Sequence, residues 1–143
     1  MRALYCVALI ALLAASLASS EPAAARTRAR ACPASHKTVV YKETGLASWY
    51  APRTLRHRTA SGERSAAHAF TAAHRSLPLG STVHVVNLEN CRSVTVTVND
   101  RGPFGRRHRR RIVDLSESAG LALGIKRAGI APVRVERYAS DKS

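Results

Sequence analysis

The sequence lacks the residue patterns that mark several common kinds of functional site. Its six histidines and three cysteines form no HxxxH or CxxC spacing, and so they indicate no metal centre. No glycine-rich phosphate-binding loop is present, and the strained GxSxG turn of serine hydrolases is missing. We therefore expect neither a bound metal nor another cofactor.

Aromatic and acidic residues are also scarce. Aromatic residues make up 5% of the chain, and nine Asp and Glu stand against 23 Lys and Arg, for a formal net charge of +14. Such a charge favours polyanionic partners, such as nucleic acid, anionic lipid or an acidic wall polymer; charge kept only for solubility is the alternative. The densest basic stretch, 104–111, contains Phe104 as its one aromatic residue. It lacks the stacking surface of a single-strand nucleic-acid binder, and we expect no nucleic-acid partner.

The long apolar run of the sequence lies at its N-terminus and is short for a membrane span. Arg2 precedes a mostly apolar run over 3–18 and then two serines, which is the pattern of a secretory signal peptide. A membrane span needs ~20 apolar residues. No cysteine follows the run directly, so we expect no lipid attachment there. Residues 1–20 are predicted to be a signal peptide. The product is expected to be a soluble monomer in the periplasm or outside the cell, not inserted in a membrane.

Two cysteines, Cys32 and Cys91, remain after removal of the signal peptide. In an oxidising compartment an even number of cysteines is compatible with a disulfide, which would connect the N-terminal arm to a hairpin turn. Two free thiols are the alternative, and the sequence leaves both open.

The mature chain is predicted to hold one domain. Residues 21–44 are basic with little apolar periodicity and predict a disordered linker, in which 38–41 can form a short strand. The domain is expected over 45–138, followed by a polar tail over 139–143.

Alternating valines predict a β-hairpin in the middle of this domain. Val83 and Val85 share one face of the first strand, and positions 94, 96 and 98 share one face of the second. Further strands are expected over 45–50, 112–115 and 131–138, and a helix over 117–123 between Ser116 as N-cap and Gly124. Five or six short strands with one small helix indicate a mostly β fold, a small closed barrel.

Asp100 stands where the second hairpin strand runs into the turn sequence NDRGP. By alternation it continues the valine face, so its carboxyl group would lie at the rim of the core. Burial there favours the protonated form, which suits a general acid. The alternative, which the spacing alone favours, is that Asp100 only caps the turn.

A long polar loop is expected over 51–68, and loops of this length in small domains are usually functional or mobile. Glu63 within it would, by itself, be an ordinary solvated charge. Trp49, just before the loop, is predicted to pack in the core, and Tyr50 to face outwards.

Five ordered motifs closely resemble the rare lipoprotein A (RlpA) family over residues 45 to 138. They are GLASWY (45–50), RTASGE (58–63), TAAHRSLPLG (71–80), VNDRGPF (98–104) and RIVDLS (111–116). The resemblance implies a six-stranded double-psi β-barrel with one short helix and a peptidoglycan ligand. It also implies lytic transglycosylase activity, which cleaves glycan strands and leaves 1,6-anhydro-muramyl ends; some members bind such glycans without evident cleavage, as a wall-loosening module would.

The resemblance also implies site residues. The presumed catalytic acid of the family falls on Asp100, and its motif Glu and His fall on Glu63 and His74, which would hold the sugar or tune the acid. We expect Tyr50, Thr59 and Arg101 to contact substrate, and Asp114 to be structural.

The sequence departs from the family pattern at three places near these motifs. Ala51 stands where the family usually has Gly. Residues 65–68 replace an aromatic, acidic and Met stretch, and 105–111 is longer and more basic than usual.

Overall fold

Six strands and one short helix make up the regular structure of the chain. The computed structural model describes residues 32–50, 58–64, 68–105 and 109–141. Its elements are β1 (Val39–Tyr50), β2 (Thr71–His74), β3 (Thr82–Asn87), β4 (Ser93–Asp100), β5 (Arg111–Ser116), α1 (Glu117–Ala122) and β6 (Ile130–Tyr138). The predicted signal peptide and linker residues 21–31 lie outside the described residues. Within those residues no helix is long and apolar enough to cross a membrane.

The strands close into a barrel in the order β1-β5-β2-β4-β3-β6. Strand β1 runs parallel to β5, and β2 runs parallel to β4, whereas the remaining neighbours are antiparallel. Neither parallel pair is consecutive in the chain; of the consecutive strands among the described residues only β3 and β4 are neighbours, and each other consecutive pair is separated by one strand of the barrel. The prediction of a mostly β fold with a small closed six-stranded barrel and one short helix is confirmed.

The predicted hairpin forms two adjacent strands of the barrel. Strands β3 and β4 pair antiparallel, with Val83 opposite Val96 and Val85 opposite Val94. These four valines and Val98 are buried in the core, while the alternate residues of β4 from 93 to 97 are exposed. Period-2 alternation therefore placed the apolar face correctly along most of this hairpin.

Helix α1 follows its predicted signals to within one residue. Ser116 caps it, because its Oγ accepts the N–H of Ala119 at 3.4 Å, and Gly124 follows with φ +79°. A Cβ on Gly120 would lie 2.8 Å from the Cβ of Trp49, so glycine allows the helix to approach β1 closely. Trp49 packs against the core as expected.

The first strand begins earlier than the sequence predicts. Val39–Tyr50 is one continuous strand whose residues 39–48 pair with β6, so the boundary predicted at residue 45 lies six residues too far along the chain. The separate strands predicted over 38–41 and 45–50 are therefore one strand. Exposed polar residues on one face, such as Lys42 and Thr44, hide its apolar periodicity, and pairing with β6 is not visible in local sequence.

The segment before β1 is joined to the hairpin turn by a disulfide. Cys32 and Cys91 are bonded, with Cα atoms 5.2 Å apart. Of the two alternatives that the sequence leaves open, the structure has the disulfide. Arg134 of β6 adds a polar contact, since its Nη2 donates to the carbonyl oxygen of Pro33 at 3.1 Å.

Candidate functional site

Asp100 ends β4 just after a β-bulge, which changes the face on which it lies. Ala72 pairs with Val98, but Ala73 pairs with Asp100, so Asn99 is the extra residue. The expectation that Asp100 continues the valine face is therefore wrong by one position. Its half-buried side chain lies across from Ala73, which pairs on its other side with Asp114 of β5.

Two backbone groups fix the carboxylate of Asp100. Its Oδ1 accepts the N–H of Ala60 at 2.9 Å and the N–H of Arg101 at 2.8 Å. Asp100 therefore caps the turn, as the simpler of the two sequence interpretations predicts. No residue in the described part of the chain donates to Oδ2, so that oxygen is available for another partner.

A compact turn over 58–64 docks on the end of β4 beside Asp100. Thr59 N–H donates to the carbonyl oxygen of Glu63 at 2.9 Å, and the Thr59 hydroxyl donates to the same oxygen at 3.1 Å. Gly62 supports the turn with φ +85°. The hydroxyl of Thr59, predicted to contact substrate, is thus used within the turn, and the residue is buried.

Asn99, the bulge residue, connects this turn to the barrel. Its carbonyl oxygen accepts the N–H of Ser61 at 3.0 Å, and its side-chain nitrogen donates to Oε2 of Glu63 at 3.3 Å. Glu63 is otherwise exposed. The structure therefore brings Glu63 and Asp100 to the same end of β4, as the motif resemblance requires.

His74 is placed differently from Asp100. It follows Ala73 in β2, and successive residues of a strand point to opposite faces, so its ring lies on the side away from Asp100. The residue is only 2% exposed. Nδ1 accepts the backbone N–H groups of Ser76 at 3.3 Å and Leu77 at 3.2 Å. Direct contact of this ring with a sugar would require it to leave that position.

Two residues that sequence reasoning missed hold the other nitrogen of His74. Nε2 lies 3.2 Å from Oε2 of Glu43 and 3.4 Å from the hydroxyl of Tyr41. The Tyr41 hydroxyl also donates to Glu43, and burial together with that carboxylate raises the pKa of Tyr41 to about 12. The signal that could have found them is their i, i+2 spacing, which puts Tyr41 and Glu43 on one face of a strand.

Burial lowers the pKa of His74 below its ordinary value of 6.5. The carboxylate of Glu43 acts in the opposite direction, and the guanidinium groups of Arg75 and Arg101 add to the lowering. The imidazole is therefore neutral at pH 7, with its proton on Nε2, because Nδ1 faces two groups that can only donate.

Arg101 and Arg75 bind backbone carbonyl groups around the site. Nη1 of Arg101 donates to the carbonyl oxygen of Leu77 at 2.7 Å and to that of His74 at 3.3 Å. Nε of Arg75 donates to the carbonyl oxygen of Pro103 at 2.8 Å. Arg101, predicted as a substrate contact, thus holds the turn that follows β2 in place.

The hydroxyl of Tyr50 contacts the first residue of β2. It lies 3.2 Å from Oγ1 of Thr71, whereas Asp100 pairs near the strand's end. Tyr50 is half-buried rather than fully outward. Thr71 and Ala73, the partner of Asp100, are two residues apart and so lie on the same face of β2, which places the Tyr50 hydroxyl on the face that carries Asp100.

Asp114 makes the contacts expected of a structural carboxylate. Its Oδ1 accepts hydrogen bonds from the hydroxyl of Ser48 on β1 and from the guanidinium of Arg111, whose Nε is 3.2 Å away. Among residues 32–50, 58–64, 68–105 and 109–141, no group of three or more His, Cys, Asp or Glu side chains is placed to bind a metal ion.

A cavity of about 460 Å³ opens beside Glu43. It is lined by an acidic residue, two basic residues and a mainly apolar remainder: Glu43, Thr44, Gly45, Leu46, Arg109, Arg110, Ile112 and Pro132. Glu43 is 36% exposed, so the Glu43 end of the His74 cluster is open to solvent.

Comparisons with solved structures establish the barrel type. The Streptomyces papain inhibitor superposes with a TM-score of 0.53 at 22% identity, over 68% of this chain and 94% of that one. The expansin of Clavibacter michiganensis superposes with a TM-score of 0.52 at 23% identity, over 69% and 52%. Both likenesses concern the fold alone, and they confirm the predicted double-psi β-barrel.

Comparisons with curated sequences give closer relatives. An endolytic peptidoglycan transglycosylase RlpA of Neisseria meningitidis serogroup A is 46% identical over 103 residues, which are 72% of this chain and 42% of the relative. The protein of the same name from Vibrio cholerae is 45% identical over 102 residues, 71% and 38% of the two chains. The chain thus spans about two-fifths of the length of these relatives.

The sequence pattern of the family described as lytic transglycolase matches residues 42–135, nearly the whole barrel. This agrees with the resemblance that the five ordered motifs indicate, and with the named relatives. The chain therefore belongs to the RlpA family of lytic transglycosylases.

Proposed function

We propose that this protein is a peptidoglycan-directed lytic transglycosylase that cleaves glycan strands and leaves 1,6-anhydro-muramyl ends. The observation that carries the proposal is the carboxylate of Asp100, fixed through Oδ1 with Oδ2 uncommitted, at the same end of β4 as Glu63. The names of the curated relatives support the same activity.

One carboxyl group is sufficient for this reaction. Asp100 donates its proton to the glycosidic oxygen as the bond to C1 of the muramyl residue breaks. The resulting carboxylate then takes the proton of the C6 hydroxyl, whose oxygen bonds to C1 and closes the anhydro ring. No water is consumed and the acid is regenerated, in contrast to hydrolysis by a pair of carboxylates.

The neighbouring residues take supporting roles in the proposal. Glu63, exposed and oriented by Asn99, contacts sugar hydroxyl groups next to Asp100. Thr59 acts by shaping the turn that donates Ala60 N–H to Asp100. Tyr50, whose hydroxyl lies at Thr71 on the same face of β2 as the Asp100 partner Ala73, would contact a neighbouring part of the glycan strand.

The location of the reaction follows from the substrate. Peptidoglycan lies outside the cytoplasmic membrane, so we propose that residues 1–20 direct export and that the protein acts in the periplasm or outside the cell. Its expected state there is a soluble monomer with peptidoglycan strands as partner.

A second function, glycan binding without cleavage, is favoured by one observation. The two backbone hydrogen bonds to Oδ1 are what a turn-capping aspartate would make, so the turn explains the presence of Asp100 without chemistry. In that case the barrel would bind glycan strands and loosen the wall as an expansin-like module.

Product analysis distinguishes the two functions. The purified protein is incubated with peptide-free glycan strands, and the products are examined by mass spectrometry alongside a pull-down that measures binding. The proposed activity predicts bound glycan together with fragments that are lighter by one water than hydrolysis products. Binding with intact strands would support the second function and contradict the first.

A further inference from the structure

A path of hydrogen bonds, joined through Leu77 and through the side chain of Arg101, connects the Glu43 cavity to Asp100. It starts with Glu43 and Tyr41 on β1, passes through the ring of His74 on β2, and reaches the turn over 75–77. Arg101 binds two carbonyl oxygens of that region and follows Asp100 directly in the chain. Every hydrogen bond of this path joins residues that the structure describes.

The imidazole of His74 connects Glu43 on one side to the turn over 75–77 on the other. Nδ1 accepts two backbone N–H groups, from Ser76 and Leu77, and so it cannot carry a proton in this arrangement. Nε2 carries the proton and donates to Glu43. A buried donor of this kind needs its acceptor, and Glu43 supplies it.

The turn then transmits the position of His74 to Asp100. Leu77 donates its N–H to His74 and accepts from Nη1 of Arg101 through its carbonyl group at 2.7 Å. The backbone N–H of Arg101 donates to Oδ1 of Asp100 at 2.8 Å. Two residues, Leu77 and Arg101, therefore lie between the ring of His74 and the carboxylate.

We propose that Glu43 is a positioning residue for Asp100, acting through His74, the turn over 75–77 and Arg101. The proposal rests on the proposed function, because it takes Asp100 as the reacting group. Glu43 contacts no reacting atom in this account; it keeps the ring in the orientation and tautomer that hold the turn. Tyr41 supports it by donating to the same carboxylate oxygen.

Protonation of His74 is the event that would break this connection. A proton on Nδ1 would face the N–H groups of Ser76 and Leu77, which would lose their acceptor, and the turn would have to move. The charged groups that act on this ring are Glu43 from β1 and Arg75 and Arg101 from the two segments packed beside it. Burial of the ring lowers the pKa of His74 and so opposes its protonation.

The first test is spectroscopic and does not need activity. The imidazole nitrogens of His74 and the amide groups of Leu77 and Arg101 are followed by NMR through a pH titration of the full protein. We expect one common pKa for the ring and both amides. Glu43→Gln keeps an acceptor but removes the charge that raises the pKa of His74, so all three transitions should move together to lower pH.

The second test separates positioning from folding. Glu43→Ala removes the nearer acceptor of Nε2–H and leaves only the Tyr41 hydroxyl at 3.4 Å, so kcat on glycan strands should fall by about 10- to 100-fold, a loss typical of a displaced catalytic group, with little change in KM. Glu43→Gln should restore most of the loss, and Tyr41→Phe should lie between them. Glu89→Gln, on the exposed hairpin turn, is the matched control and should behave as the unmodified protein.

The outcomes distinguish this proposal from the proposed function. If the unmodified protein releases no anhydro products, the function fails, and the NMR titration still decides whether Glu43 and His74 control the Arg101 backbone. The positioning role would be overturned if the amide chemical shifts of Leu77 and Arg101 did not change as His74 titrates. So would a Glu43→Ala protein with unchanged kcat; if that variant does not fold, the Glu43→Gln titration decides.

Discussion

His74 uses both of its ring nitrogens to hold the barrel together. One side accepts two backbone N–H groups, and the other donates to Glu43, in a position that is almost completely buried. The motif resemblance predicts this histidine as part of the catalytic set, and its contacts favour an indirect role. A buried neutral imidazole of this kind makes folding sensitive to acid.

The stability of the protein should fall as the pH drops below about 6.5. The pKa of His74 is lowered in the folded state. Between the folded and unfolded pKa values, His74 is therefore protonated in the unfolded chain and neutral in the folded chain. Stability contributed by the neutral ring is fully present above the unfolded pKa and is lost as the pH falls toward the folded pKa. Urea unfolding across this range measures the slope, and His74→Gln, which does not titrate, should flatten it. An identical slope in both proteins would contradict this explanation.

Alternation along the strand places the valines of β4 correctly but fails at Asp100. The valines at 94, 96 and 98 face the core as expected, yet the bulge at Asn99 turns the next residue to the other face. A bulge depends on the pairing of two strands distant in sequence, β2 and β4, and so no local pattern shows it. Asp100 could be predicted from its motif, but its hydrogen bonds could not.

At the scale of whole elements, the segment before β1 is attached to the barrel at two points. The Cys32–Cys91 disulfide joins it to the β3–β4 turn, and Arg134 of β6 binds the carbonyl group of Pro33. The disulfide spans 59 residues of sequence, so it closes a long loop in the unfolded chain. It lies at the opposite end of β4 from Asp100.

Removal of this disulfide should lower stability without changing the chemistry. Paired replacement of Cys32 and Cys91 by Ser should reduce the free energy of unfolding by about 2–5 kcal/mol, as for native disulfides of small exported domains. Asp100 lies roughly 25 Å away along β4, so the cleavage rate of the folded variant should be unchanged. Denaturant unfolding with and without reductant checks the first part. A stability that reduction leaves unaltered would show that the bond contributes nothing.

The hairpin and α1 were predictable because their signals are local. Ser116 and Gly124 bound the helix, and a short polar turn separates the two valine strands. Strand β1 was not predictable in full, because its first half is held by pairing with β6, about ninety residues later in the chain. Tyr41 and Glu43 lie in that half, which explains why sequence reasoning missed them.

At the scale of the whole molecule, the dominant property is positive charge. The chain carries a formal net charge of +14. Its exposed arginines include Arg58 and Arg64 in the turn beside Asp100, and Arg109 and Arg110 at the cavity beside Glu43. The rest of the basic stretch, 106–108, lies outside the described residues. A surface of this kind attracts an anionic wall polymer over a range set by the salt concentration.

Binding to intact peptidoglycan sacculi should therefore weaken as salt is added. The Debye length falls from about 10 Å at 0.1 M to about 3 Å at 1 M ionic strength, which screens exposed charges. Replacement of the five arginines of the basic stretch by Ala (106, 107, 109, 110 and 111) should remove most of this dependence. Arg111 also contacts Asp114, so a variant limited to Arg109 and Arg110 is the cleaner comparison. Sedimentation with sacculi at increasing salt concentration measures the binding of each protein. Salt-independent binding by the unmodified protein would contradict the role of charge.

The family could be predicted from sequence because five motifs occur in order along one chain, and the barrel follows from the family. The hydrogen bonds around the site could not be predicted from sequence. They join β1, β2 and the turn after β4, and they depend on how the closed barrel brings these segments together. Arg101 shows the difference: its motif suggests a substrate contact, whereas its guanidinium binds Leu77 and His74.

Replacement of Asp100 by Asn tests whether this residue is the acid and base of the proposed reaction. Asn keeps an oxygen that can accept from Ala60 and Arg101, so the fold and the turn should be retained. Without the titratable proton, release of anhydro-muramyl products should fall by about 10²–10⁴-fold, the usual loss when general acid–base catalysis is removed. Glycan binding and thermal unfolding should stay close to those of the unmodified protein and of the control Glu89→Gln. An Asp100→Asn protein that releases anhydro products at the normal rate would contradict the account.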